Sequence, residues 1–217
     1  YFRSSVIEAL GDYRIAAATA RITEIAKLEG PLQDDAVLAL GKIGDKASLG
    51  VLAELQRTGA QTLQPSVAAG ICLLGQNCTS HMGFLLKTLG FAEDFPGYQE
   101  LLRGATAGLG AIGAHGNAEA VTMLLDVGVP SQDPVRAPVA LALGLVALRN
   151  TSLMLQVLDG RKDQAEALSL VAEGFDMLEE DLEEERFFAA VRRAYWAAPD
   201  GSPRRLLCER LITKLDF

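Results

Sequence analysis

Leu38-Ala39-Leu40-Gly41-Lys42-Ile43-Gly44-Asp45 decides how this chain is read. Its Leu-Gly pair also stands at Leu10-Gly11, Leu74-Gly75, Leu109-Gly110 and Leu143-Gly144, at intervals of about 30 to 35 residues, the length of one helix-turn-helix unit stacked on the next. Each pair lies at or near the end of a segment crowded with small and branched apolar residues: Ser4 to Leu10, Leu32 to Leu40, Leu63 to Leu74, Glu100 to Leu109 and Pro134 to Leu148. A helix that is apolar nearly all round is one buried between neighbours. Between these segments lie more amphipathic ones, Tyr13 to Leu28, Ala47 to Gln56, Met82 to Leu89, Ala118 to Leu125 and Ser152 to Leu158, with Leu49, Leu52 and Leu55 at near-helical spacing. Gly and Pro mark the joints, as in Glu29-Gly30-Pro31. The predicted fold class is all-α, an α-solenoid of stacked antiparallel helix pairs. The glycine of each Leu-Gly pair suits a left-handed helix stop or a close backbone approach, and it reads as a stop that recurs.

Regular repeats are expected over residues 1–160, about five units with the first incomplete. Residues 161–217 read as a C-terminal helical capping region of the same solenoid. There a helix from Ala165 to Leu178 precedes the acidic run Glu179 to Glu185. An Asp181/Glu184 capping box opens the next helix, and Ser202-Pro203 starts a last one reaching Leu215. The chain opens Tyr1-Phe2-Arg3 within what reads as the second helix of a unit, so an upstream region of the same polypeptide is expected.

The chain resembles the HEAT-like repeat family in its compact bacterial form. The resemblance rests on Leu38 to Asp45, on Gly108-Leu109-Gly110-Ala111-Ile112-Gly113, and on Asp133-Pro134-Val135-Arg136 followed by Ala142-Leu143-Gly144. These are similar to the family's "ALGxIGD" helix ending and "D-x-x-VR" helix opening. The resemblance implies a superhelical scaffold that binds a protein partner along its concave side, where the second helices begin. Arg103 and Arg136 stand at similar steps before their Leu-Gly pairs and are candidates for that surface, or for a structural ladder to Glu100 and Asp133. The same repeats resemble the HEAT-like phycobilin lyases, which makes chromophore attachment to a partner's cysteine the alternative function.

Composition narrows the partners. A net charge of -8 argues against phosphate backbones and anionic lipid as general partners, so neither nucleic acid nor membrane is expected. The most apolar run, Ala137 to Leu148, falls well short of the roughly 20 residues of a membrane span. The three cysteines, Cys72, Cys78 and Cys208, are odd in number and do not suggest a disulfide framework, which points to a reduced, cytoplasmic setting. The sequons at Asn77 and Asn150 read as chance patterns in loops.

No residue is assigned to catalysis, a cofactor or a metal. Residues 108–113 match G-x-G-x-x-G, but that fingerprint needs a strand before it and a helix after it, whereas here a helix precedes it and the motif reads as a helix ending. Cys72, Cys78 and His81 lack a fourth ligand for zinc. Neither His81 nor His115 is followed by Glu, and no nucleophile motif appears. Asp34-Asp35 and the acidic run cap or solvate helices, or else meet a partner. The segment Gly90 to Tyr98 is longer and more aromatic than the other joints. Aromatic residues gain much at interfaces, so Phe95 and Tyr98 join Arg103, Arg136, Asp34 and Asp35 as candidate partner-binding residues. The expected function is a non-catalytic protein-interaction or scaffold module.

Overall fold

The computed structural model describes residues 1–76, 78–95, 97–178 and 180–216, with only the backbone of residue 181. Among them are thirteen α-helices and no strand. Two compact units divide the chain, Tyr1–Ile112 and Gly113–Phe217.

The first unit holds α1 (Phe2–Asp12), α2 (Thr19–Ala26), α3 (Gln33–Ile43), α4 (Leu49–Thr58), α5 (Gln64–Leu73), α6 (Met82–Asp94) and most of α7 (Gln99–Ala114). Apolar residues surround α3, and it is accordingly enclosed, packing on α1, α2 and α5. Ala36, Val37 and Leu40 of α3 are fully buried, as are Leu52 of α4 and Val67 of α5. The second unit holds α8 (Ala118–Gly128), α9 (Arg136–Arg149), α10 (Thr151–Asp159), α11 (Gln164–Asp176), α12 (Asp181–Ala197) and α13 (Pro203–Leu215). Helix α9, apolar from Ala137 to Leu148, packs on α8, α10, α11 and α12, while α13 closes on α10, α11 and α12. Phe187 of α12 is buried against Phe175 of α11, ring centroids 4.9 Å apart.

Of the two roles read for the Leu-Gly glycines, the helix stop is corrected by these helices and the close backbone approach is found. Gly11, Gly41, Gly110 and Gly144 lie inside α1, α3, α7 and α9, and only Gly75 follows a helix end, with φ +77°. The left-handed stop after α3 is Gly44, at φ +80°, and the positive-φ glycine after α7 is Gly116, at φ +109°. What Gly41 supplies is the absence of a Cβ. A Cβ there would stand 2.7 Å from the Gly70 Cα and 2.9 Å from its carbonyl oxygen, so α3 and α5 meet backbone to backbone. Gly11 meets Ala39 of α3 in the same way, and Gly104 of α7 meets Pro65 and Ser66 of α5. In the second unit Gly174 of α11 lies against the Ala140 carbonyl and Gly144 of α9. The G-x-G-x-x-G stretch, residues 108–113, forms the last turns of α7, so its amides serve that helix.

One capping device recurs. The first residues of α3, α5 and α11 are glutamines that reach back to the carbonyls ending the preceding helix: Gln33 Nε2 donates to Ala26 O at 2.9 Å, Gln64 Nε2 to Leu55 O at 3.2 Å, and Gln164 Nε2 to Leu158 O at 3.0 Å. The last carbonyls of a helix lack the full helical pattern of donors, and at Leu55 and Leu158 the glutamine adds to the amides of Gly59 and Arg161, which donate to the same oxygens. Asn117 and Asn150 cap α8 and α10 through the amides of Ala120 and Leu153. Ser202 caps α13 as its Ser-Pro start predicts, accepting from the Arg205 amide at 3.3 Å. The Asp181 side chain of the expected capping box lies outside the described residues, as does the first sequon's Asn77.

The cysteine reading is also corrected. Cys72 of α5 and Cys78 form a disulfide, with Cα atoms 5.4 Å apart, and Cys208 is a buried free thiol of α13. The odd count hides one short-range bridge, and the cysteines no longer argue for a reduced setting. Among the described residues no single helix is long and apolar enough to cross a membrane. The bent pair α9 and α10 passes that test only together, across a 117° break.

Candidate functional site

The six candidate residues fall into three groups. Asp34 and Asp35 stand in the first turn of α3 and tie four helices together. Asp35 accepts from Ser4 Oγ of α1 at 2.6 Å and pairs with Arg103 of α7 at 2.6 Å, while Asp34 accepts from Ser66 Oγ of α5 at 2.8 Å. Arg103 therefore reaches a carboxylate on α3, not Glu100 on its own helix. Burial pushes the Asp34 carboxyl above its ordinary range. The Ser66 hydrogen bond and the Arg103 charge oppose that, and Glu100 and Asp35 reinforce it. Ser66 beside a carboxylate is a nucleophile-and-base pair in form only, because Ser66 is wholly buried and no substrate can reach it. The group is a structural tie whose accessible member is Arg103, its side chain 38% exposed.

Phe95 and Tyr98 form the second group, with a residue the sequence reading did not single out. Phe91 near the end of α6 stacks on Phe95 at 4.8 Å between centroids and lies 5.4 Å from Tyr98. All three remain in water, at 43%, 52% and 44% exposure, and Phe84 two turns earlier is 44% exposed. Phe84 and Phe91 carried a legible signal: Gly83-Phe84, Gly90-Phe91 and Gly97-Tyr98 repeat at seven residues. Pro96 of this segment lies outside the described residues.

Arg136 stands in the second unit, committed to structure. Its Nε and Nη2 donate to the two Glu173 carboxylate oxygens of α11, each at 2.7 Å, and its Nη1 reaches the carbonyls of Gly128, Val129 and Ser131. It occupies the place that glutamine holds in α3, α5 and α11. The hydrogen bond from Arg136 lowers the Glu173 carboxyl's pKa, and the same bond raises that of the Arg136 guanidinium. Asp133 contributes only as a nearby charge. Glu173 and Asp176 also line a shallow cleft of about 470 Å³ with Phe188 and Lys214. Part of the acidic run is used within the unit, Arg149 pairing with Glu180 at 2.5 Å and with Glu183 at 3.8 Å.

Among the described residues no group of three or more His, Cys, Asp or Glu side chains is placed to hold a metal ion. Compared with known proteins, the chain matches no family model and no curated sequence.

Proposed function

We propose that this chain is part of an α-solenoid of HEAT-like repeats and serves as a non-catalytic protein-interaction module. The backbone-to-backbone stacking of α1, α3, α5 and α7 supports the repeat reading. One observation carries the function: the aromatic cluster Phe91, Phe95 and Tyr98 stays about half in water beside a unit whose other large apolar side chains are mostly enclosed. Aromatic side chains concentrate binding energy at interfaces. The polar residues of α3 and α7 are tied to one another and hold the scaffold that presents this cluster. Capture of binding proteins on the immobilised chain, compared with Phe91→Ser and Arg103→Ala, tests the reading. A partner retained by the parent and by Arg103→Ala but lost from Phe91→Ser supports it. Equal retention by all three refutes it.

A further inference from the structure

We infer that the exposed face of α6 is a self-association surface that takes α6 of a second copy of this chain in antiparallel orientation. This rests on reading the aromatic cluster as an interface. The face repeats every seven residues, which in a straight helix returns to nearly the same side about 10 Å further along. It carries Gly83 and Phe84, then Lys87, then Gly90 and Phe91, then Asp94, all exposed. A Cβ on Gly83 or Gly90 would meet nothing within 4 Å, so the helix surface beside each phenylalanine is bare backbone open to solvent.

The face therefore pairs a projecting phenylalanine with a bare glycine at one period, with a cation towards one end and an anion towards the other. Only one orientation uses all of them. In a parallel pairing Lys87 would face Lys87, and Asp94 would face Asp94. In an antiparallel pairing with the two-fold axis between Gly90 and Phe91, Phe91 seats against the second copy's Gly90, and Lys87 faces the second copy's Asp94. The same axis carries Phe84 towards the second copy's Phe95 and Tyr98. Such a contact is isologous, as a closed two-fold dimer requires.

The area sets the strength. Phe84, Phe91, Phe95 and Tyr98 are 44%, 43%, 52% and 44% exposed. At 150–250 Å² per aromatic side chain, they offer about 300–500 Å² per copy. A standard interface buries about 800 Å² per partner. The dimer is therefore weak and fills with concentration.

Sedimentation velocity of the whole chain over a series from about 10 μM to about 1 mM tests this. The parent moves from monomer towards dimer. Phe91→Ser, and Gly90→Leu, which puts a side chain where the second copy's Phe91 would seat, remain monomeric, with unchanged circular dichroism showing that they fold. Lys87→Asp and Asp94→Lys each weaken association about tenfold, and the double exchange restores it. A monomeric parent, a dimer indifferent to Gly90→Leu, or a double exchange no better than its singles overturns the assignment. A monomeric parent whose captured partner is still lost on Phe91→Ser overturns this inference alone. Indifference of Phe91→Ser in both assays overturns the protein-interaction reading as well.

Discussion

Gly41→Ala is expected to destabilise the first unit, although alanine is the better helix former. In an exposed helix the exchange gains about 0.5–1 kcal/mol, because glycine loses more backbone freedom on folding. At Gly41 the new methyl would stand 2.7 Å from the Gly70 Cα and 2.9 Å from its oxygen. Both are backbone atoms, so relief requires α3 and α5 to separate and loosen the side chains around them. Overpacking of that kind costs about 1–3 kcal/mol. With the clash at the upper end of that range, about 3 kcal/mol, the net loss is about 2–2.5 kcal/mol, or a urea midpoint lower by about 1 M at a slope of about 2 kcal/mol per M. Gly70→Ala is milder, since its nearest neighbours are the Val37 oxygen at 3.1 Å and the flexible Leu52 methyl at 3.2 Å. Gly90→Ala is the control: its Cβ enters open space on an exposed helix, and it stabilises by about 0.5–1 kcal/mol. Urea titrations followed by helical circular dichroism, with the three variants beside the parent, read the order directly. If Gly41→Ala is as stable as the parent or gains as much as Gly90→Ala, the close-approach account is wrong.

Other outcomes follow from the charges and the bridge. Because burial holds the folded pKa of Asp34 above the unfolded value of 3.8, ionising it opposes folding, and stability rises as pH falls through the folded pKa. Asp34→Asn, which keeps an acceptor for Ser66, therefore raises the thermal midpoint at pH 7, and the gain shrinks as the pH approaches 3.8. Glu173 has the opposite sign: its folded pKa lies below the unfolded 4.5, so its contribution is full above that pH and is lost as pH falls through the folded value. Glu173→Gln melts lower than the parent at pH 7, and the two curves converge below pH 4.5. Reducing the Cys72–Cys78 bridge, which spans a sequence separation of 6, lowers stability by about 2 kcal/mol in the chain-entropy picture, read as a lower urea midpoint in the presence of a phosphine reductant.

The helical class and most helix positions were legible because burial imposes its period on the residues themselves. Segments such as Ala36 to Leu40 read as enclosed, and they are. The Ser202-Pro203 start of α13 needed only local chemistry and was found at its residue. The Leu-Gly glycine was legible but its role was not, since a glycine near a helix end fits a stop and a close approach equally well. Only the facing Gly70 decides between them. Arg103 and Arg136 were picked out by register, but their partners Asp35 and Glu173 are 68 and 37 residues away, and no local pattern points to them. The glutamine caps escaped notice because a glutamine before an apolar run also reads as ordinary surface. The disulfide was missed through reliance on cysteine parity, which cannot register one bridge beside one buried thiol.

Hydroxyl-radical footprinting of aromatic side chains at low and high protein concentration tests most directly whether the α6 face is an interface. Phe84, Phe91, Phe95 and Tyr98 are expected to lose reactivity as concentration rises, while Tyr13 and Trp196, 64% and 74% exposed, keep theirs as internal standards. Unchanged reactivity of the α6 aromatics, or protection that appears at Tyr13 or Trp196 instead, contradicts the account.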